Sequence, residues 1–418
     1  MLTKRIFFIV WFLGLMSGFT ILITGNILNF WLSKENIDIR TIGTFALISI
    51  PYAINFIWAP IFDTKKIPIL SDMVGSRLAW AITIQILLSI NVYLMSTFQP
   101  VNELMSIAIC GLTISFLSSA QDTVLGAIRT ELVSKNQQGE ISGMYIFGYR
   151  IGMLISGYGA IYISQYISWN VVYQLFGIII LIFPITLILF TKDLNAMRHT
   201  FNDTLLDTQN ITKLKKLITT ITKPIGSSGY IIFLLIFLVL YRLPDNFITM
   251  MINPFLLHVG YNEFEISTVG KLFGITSAII GGLLASYVMR KKNIYDSLLI
   301  FGSMHAVAHM LFIIQEIYGK NLYLLFVITG FESITGGMTM AAYIAFIASL
   351  CQGKFRATQY SFLSSMMGLS RSILPAISGY IVASFGWTIF YLFTTLATIP
   401  ALIMLLYFRK IQRQKEQQ

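Results

Sequence analysis

Apolar stretches long enough to cross a bilayer recur twelve times along this 418-residue chain, and nothing else in the sequence constrains its folding as strongly. A helix rises 1.5 Å per residue, so about 20 apolar residues span the hydrocarbon core of a membrane. Such stretches run at 6–32, 41–61, 78–98, 104–133, 140–165, 168–191, 228–257, 266–289, 294–315, 321–350, 357–385 and 387–408. Within lipid the backbone must satisfy its own hydrogen bonds, and segments of this length do so as helices. The expectation is an all-α membrane protein with twelve transmembrane helices and the lipid bilayer as its surroundings. The first stretch, Ile6 to Trp31, is too long for the apolar region of a signal peptide and is expected to stay as a helix.

Charge placement orients these spans. Only 11% of residues are charged, and the formal net charge is +11. Twelve spans put both termini on one side. Loops on that side carry Lys65, Lys66, Lys135, Lys192, Arg290, Lys291, Lys292, Lys354 and the tail from Arg409 to Lys415, whereas the opposite loops hold Lys34, Arg40 and Lys320. By the positive-inside rule both termini are expected to be cytoplasmic. Basic residues scattered over several short loops are topology signals, which excludes a nucleic-acid surface. The longest polar stretch falls at the midpoint and reads as a cytoplasmic linker, 192–225. It separates an N-terminal six-helix half, 1–191, from a C-terminal six-helix half, 226–418, with a short basic tail.

The two halves repeat weakly. The fifth span carries Arg150 and then Ser156-Gly157-Tyr158, and the sixth opens with Trp169-x-x-x-Tyr173. Six spans later come Arg371, Ser378-Gly379-Tyr380 and Trp387-x-x-x-Tyr391. Two six-helix halves in the same orientation are the arrangement of major facilitator transporters, whose solutes bind near the bilayer midplane.

A charge at the bilayer centre costs about 2.5–3.5 kcal/mol, so intramembrane charges are expected to face a cavity or a partner. The candidates are Asp122, Arg129 and Glu131 on span four, Arg150 on five, Arg242 and Asp245 on seven, Lys271 on eight, Glu332 on ten and Arg371 on eleven. None lies on spans three, six, nine or twelve, the outer helices of a facilitator fold. By helical rise, Arg150, Glu332 and Arg371 stand roughly 15–20 Å into their spans, near the midplane. Arginine's planar fork binds carboxylates bidentately, so Arg150 and Arg371 suit an anionic solute. Asp122, Asp245 and Glu332 are the candidate proton carriers. Arg129, two turns after Asp122, and Arg242 and Lys271 near Asp245 read either as gates or as structural ion pairs. Pro244 is placed to break span seven beside Asp245. Gln121, Tyr145, Tyr149, Asn29 and Trp58 read either as solute contacts or as helix-packing groups.

His305 and His309, at i and i+4 on span nine, have no cysteine or carboxylate at ligand spacing and read as structural, so no metal is expected. Cys110 and Cys351 lie inside apolar runs and read as core residues. There is no Walker A motif, no nucleophile elbow and no H-E-x-x-H, so the sequence points to neither an ATP-driven pump nor an enzyme, and no cofactor is called for.

Local motifs carry a resemblance across roughly residues 10 to 405. They are Met16-Ser17-Gly18-Phe19, Pro51-Tyr52 through Phe56-Ile57-Trp58-Ala59-Pro60-Ile61-Phe62-Asp63, and Gln121-Asp122 with Arg129-Thr130-Glu131-Leu132. They continue as Gly148-Tyr149-Arg150 with Ser156-Gly157, then Leu240-Tyr241-Arg242-Leu243-Pro244-Asp245, then Gly330-Phe331-Glu332 with Gly336-Gly337-Met338. Last come Ala357-Thr358-Gln359-Tyr360 and Leu363-Ser364-Ser365. In these the chain resembles the AmpG muropeptide permeases of the major facilitator superfamily. The resemblance implies a bacterial inner-membrane protein, monomeric, that imports anionic anhydro-muropeptides for cell-wall recycling by proton symport and alternating access. The chain departs from the family pattern at Asn55 and Arg242, where a Lys is usual, at Thr64, where an Arg is usual, at Gly126, where an acid is usual, and at Ile128, where a Tyr is usual. Those changes mark a divergent paralogue. Two other functions stay open at this point: transport of another amphipathic anion such as acetyl-CoA, and a non-transporting membrane receptor, which would need a soluble signalling domain.

Overall fold

A computed structural model of the chain describes residues 4–58, 61–62, 65–132, 138–191, 194, 228–351 and 356–416. Among these the secondary structure is helical, with no strand. The long helices are α1 (Lys4–Lys34), α2 (Ile39–Ala53), α3 (Ser76–Met95), α4 (Leu104–Glu131), α5 (Gln138–Ile163) and α6 (Trp169–Leu189). They continue as α7 (Ser228–Val259), α8 (Glu263–Met289), α9 (Ile294–Tyr318), α10 (Leu322–Leu350), α11 (356–385) and α12 (387–416). Ten described helical stretches are long and apolar enough to cross a membrane; the longest, the 46 residues Ser365–Lys410, is broken at Gly386. Gly386 has a φ of +81°, open to glycine and strained for other residues, and it ends α11 where the sequence places the boundary. With the shorter α2 this gives the twelve expected crossings. The expected linker, 192–225, falls outside the described residues except for Leu194, as do Ala59, Pro60, Asp63 and Thr64.

Two local expectations change. The span at 41–61 is not one helix: α2 tightens to a 3-10 turn over Phe45–Ser49, resumes as Ile50–Ala53 and gives way to another 3-10 turn at Asn55–Ile57. Pro51 lacks the N–H that would close an α-helical bond back to Leu47, and the chain tightens there. Pro244 does not break α7, which stays helical through both Pro244 and Pro254. The ring fits helical φ; what the helix loses is the N–H that would meet the Leu240 carbonyl, a loss membrane helices tolerate. Wider π-helical turns occur in α1 at Ile23–Ile27 and in α8 at Ile266–Phe273, the latter carrying Lys271.

The chain forms two compact units, residues 1–37 with 48–208 and residues 38–47 with 209–418. In the first, α1 and α5 make the closest approach. Gly14 and Gly18 on α1 face Gly148 and Gly152 on α5, each spaced i, i+4, and a Cβ on any of them would run into the opposite backbone. Lipid supplies no hydrophobic drive for helices to associate, so small residues that let backbones touch take its place. In the second unit α8 and α10 use the same device at Gly281 and Gly337, and residues 38–47 pack on α11, where Gly43 meets Gly379.

The sequence repeat has a structural counterpart in each unit. Trp169 and Tyr173 of α6 pack on Trp31 of α1, with ring centroids 6.4 and 5.0 Å away. Trp387 and Tyr391 of α12 pack on Phe255 of α7 at 5.2 and 4.9 Å. Outward faces are apolar, as lipid requires: Ile86, Leu87 and Ile90 on α3, Ile182 and Ile185 on α6, Val307 and Met310 on α9, and Ile403 and Leu406 on α12 are exposed.

Candidate functional site

The intramembrane polar groups gather into one cluster in each unit. In the first, α1, α2 and α4 share a seam of short side chains. Thr24 and Ser115 hydroxyls lie 2.8 Å apart, Tyr52 donates to Ser118 at 2.6 Å, and Ser118 donates to Thr20 at 2.8 Å. Gln121 is fully buried in this seam, its Nε2 donating to the Met16 carbonyl at 3.1 Å and to Thr20 at 3.3 Å. Ser17 donates to Asp122 Oδ1 at 2.5 Å, so the carboxylate meets α1.

Arg129, two turns on from Asp122, lies over the Tyr145 ring of α5 with Cζ 4.7 Å from the centroid. Tyr145 is close enough to Asp122 and Arg129 for both charges to act on it. The expected Asp122 and Arg129 grouping therefore includes α5 through Tyr145. Tyr149 follows one turn later, its carbonyl against Gly18, and Arg150 is half-buried beside it with no ion pair among the described residues. Asn29 is buried on α1, and Trp58 packs edge-on against Phe116 at 4.8 Å.

In the second unit the charged groups contact one another directly. Arg242 Nη2 meets Asp245 Oδ2 at 2.5 Å, one turn apart on α7. The other oxygen, Oδ1, lies 3.2 Å from His305 Nε2 on α9, and His305 Nδ1 lies 2.9 Å from the Thr335 hydroxyl on α10. Glu332 stands one turn before Thr335, its Oε2 accepting from Ser333 at 3.0 Å. One ligand-type atom from each of Asp245, His305 and Glu332 falls within 4.8 Å of the others. Lys271 is buried in the π-helical turn of α8, near enough to Glu332 for the two charges to interact. Arg371, half-buried on α11, follows Ser370, which accepts from Asn246 Nδ2 at 3.0 Å and donates to the Val239 carbonyl at 3.0 Å. These bonds tie α11 to α7.

Of the residues expected near Asp245, Arg242 pairs with it directly, and Lys271 lies by Glu332, which neighbours Asp245 through the His305 cluster. His305, read as structural for want of a carboxylate at ligand spacing, has Asp245 and Glu332 as neighbours from other helices. The α9 helix does expose an apolar face, but Leu298, Phe301, Gly302, His305, His309 and Phe312 form its buried stripe. The signal was there: Gly302 lies one turn before His305, and a Cβ on it would press on Tyr241 of α7. Ser17 was also missed, being a small residue inside a glycine-rich motif.

Long apolar helices with charged groups buried among them define a multi-pass membrane transporter. Residues 10–315 and 297–418 match the Major Facilitator Superfamily. The protein named AmpG 1, a transporter by its name, of Rickettsia bellii is 56% identical over 409 residues, covering 98% of this chain and 98% of its own length. The anhydromuropeptide permease of Escherichia coli K12 is 30% identical over 405 residues, covering 95% of this chain and 78% of its own. In fold the chain is similar to the xylose transporter XylE from E. coli, a structure that shows that protein in a partially occluded inward open conformation. The TM-score is 0.70 at 11% identity, over 96% of this chain and 97% of that one. The chain belongs to the AmpG family of the Major Facilitator Superfamily, a family of transporters and not of enzymes.

Proposed function

We propose that the chain imports anhydro-muropeptides across the bacterial inner membrane by proton-coupled alternating access, with both termini in the cytoplasm. Two six-helix halves, 1–191 and 226–418, joined by a cytoplasmic linker, carry out the exchange. The observation that carries this reading is chain-long identity to a permease named for that solute. Arg150 supports it physically. A guanidinium half-buried in a membrane helix without an ion pair among the described residues is a ready partner for a solute carboxylate. Arg371 takes a second anionic group, and Asp122, Asp245 or Glu332 carries the proton.

The test is uptake of labelled anhydro-muropeptide into inverted and right-side-out vesicles, with and without a protonophore. Uptake that collapses with the proton gradient supports the reading; uptake indifferent to it removes the coupling, and no uptake by folded protein removes the solute. Arg150→Lys should lower uptake about tenfold or more while leaving the melting temperature in place, because an ammonium cannot reproduce bidentate contact. Gly126 favours a second reading. Where the family pattern has an acid, the space around Gly126 is open, with nothing within 4 Å of a Cβ. The missing carboxylate alters the charge offered to a solute, and transport of a different amphipathic anion such as acetyl-CoA follows if muropeptide uptake fails.

A further inference from the structure

We propose that His305 is a proton-binding site of the transport cycle, holding its proton on Nε2 against Asp245. The assignment rests on the proton-coupled reading above and adds to it a carrier on α9.

Counting hydrogens leads there. The Thr335 hydroxyl lies 2.8 Å from the Phe331 carbonyl and 3.0 Å from that of Glu332, so its hydrogen is given to its own helix. Facing His305 Nδ1 at 2.9 Å, the hydroxyl then acts as acceptor, and Nδ1 carries a hydrogen. A neutral imidazole has one N–H. With that hydrogen on Nδ1, a neutral ring would present a bare Nε2 lone pair to Asp245 Oδ1 at 3.2 Å, lone pair against lone pair. Two arrangements resolve the contact. In one, the Thr335 hydroxyl turns its hydrogen from its own helix to Nδ1 and the neutral ring carries its one hydrogen on Nε2; in the other, the ring takes one proton more. The second keeps both helix contacts of Thr335 and is the loaded state. Arg242 on Oδ2 anchors negative charge on the carboxylate, so the extra proton sits on the ring.

The surroundings fit a site that loads and unloads one proton. On α7 His305 faces Asp245 and Arg242, on α10 Glu332, and beyond Glu332 stands Lys271 of α8. On its own helix His309 lies with its ring centroid 4.4 Å away, close enough that two imidazolium rings would repel strongly. A small cavity touches the pair, bounded by Tyr241, Pro244, Gly302 and Thr339, with Thr398 and Leu402 from α12 contributing no ionisable group. A divalent cation is the competing occupant, since the three ligand-type atoms are within reach of one ion. It would have to displace the proton and sit beside the Arg242 guanidinium, and both oppose it.

Two measurements on the full-length protein decide the matter. Nitrogen-15 NMR of histidine-labelled protein in lipid should show, for the ring lost on His305→Gln, both nitrogens protonated. In Asp245→Asn, where an amide can donate to Nε2, that ring should carry one proton. A singly protonated ring in the unsubstituted protein overturns the proposal, as does one zinc per chain retained at this site and lost in His305→Gln. In proteoliposomes His305→Gln should reduce uphill accumulation driven by a pH gradient at least tenfold more than it reduces downhill solute exchange. Equal losses in the two assays return His305 to a packing role. If the unsubstituted protein itself accumulates no solute in a pH gradient, the proton-coupled reading fails first, and the proposal with it.

Discussion

The two units solve the problem of helix association in lipid with different chemistry. The first joins α1 to α5 by backbone contact at four glycines and α1 to α4 by neutral hydroxyl and amide bonds. The second also has glycine contacts, between α8 and α10, but joins α7 to α9 and α10 through Arg242, Asp245, His305 and Thr335. Apart from the Asp122 carboxylate bonded to Ser17, the first unit's seam does not change with pH, whereas the chain of ionisable groups in the second changes its charge when a proton arrives. The difference sets a close-packed, mostly neutral seam in the first unit against a seam in the second that carries ionisable groups on α7, α9 and α10.

The sharpest way to break this contrast is to put bulk where backbones touch. Gly148→Val would drive its side chain into the Trp11 carbonyl, and neither backbone has room to retreat. We expect a destabilisation of at least about 3 kcal/mol, seen as loss of monodisperse protein after detergent extraction. Gly159→Ala, on the same helix but in open space, should be stabilising by about 0.5–1 kcal/mol, since alanine is the better helix former. If both variants behave alike, the α1–α5 contact is not what holds the first unit.

A second substitution probes the charged chain. Arg242→Ala would leave the largely buried Asp245 carboxylate without its guanidinium, and breaking such a pair costs about 3–5 kcal/mol. The double variant Arg242→Leu with Asp245→Leu should recover much of that stability, because an apolar pair needs no compensation. Transport should be lost in both. Thermal unfolding followed by fluorescence separates the stability effect from the uptake effect. A single variant as stable as the parent would mean that the second unit does not depend on its ion pair.

Much of this architecture was legible before any coordinates. Twelve apolar runs gave the crossings, and even the α11–α12 boundary at Gly386 falls where the sequence puts it. The shortening of α2 at Pro51 and the persistence of α7 through Pro244 were not legible, because the same residue can end one helix and ride inside another depending on its neighbours. Asp245, Arg242 and Lys271 were readable as a group since charge inside an apolar run has few explanations, whereas Glu332, read with Arg150 and Arg371 as a midplane residue, joins them only in the structure. Neutral polar residues have more. Gln121 and Asn29 look alike in sequence whether they face a cavity or a partner helix; the structure buries both and bonds Gln121 to α1. His305 reads as structural in the sequence because the facilitator pattern makes α9 an outer helix, yet one helix can show lipid an apolar face and turn a histidine inward.

The smallest effect expected tests whether the neutral seam is as modest as its chemistry implies. Ser118 accepts from Tyr52 and donates to Thr20, so Ser118→Ala removes two hydrogen bonds at once. In water-soluble cores each would be worth about 1 kcal/mol net, but within membranes measured values average about 0.6 kcal/mol because the separated helices find other partners. Thr20 illustrates the point, since Gln121 Nε2 already donates to it and the Met16 and Ser17 carbonyls lie within its reach. The expected loss is therefore about 0.6–1.2 kcal/mol, a shift of a few degrees in melting temperature. Ser370→Ala is the matched change in the second unit, removing the bond from Asn246 and the bond to Val239, and should cost a similar amount. Equal small losses would locate the difference between the units in their charges. A loss several times larger at Ser118 would mean the hydroxyl seam acts cooperatively, and the first unit's stability would then come from α4 as much as from the glycines of α1 and α5.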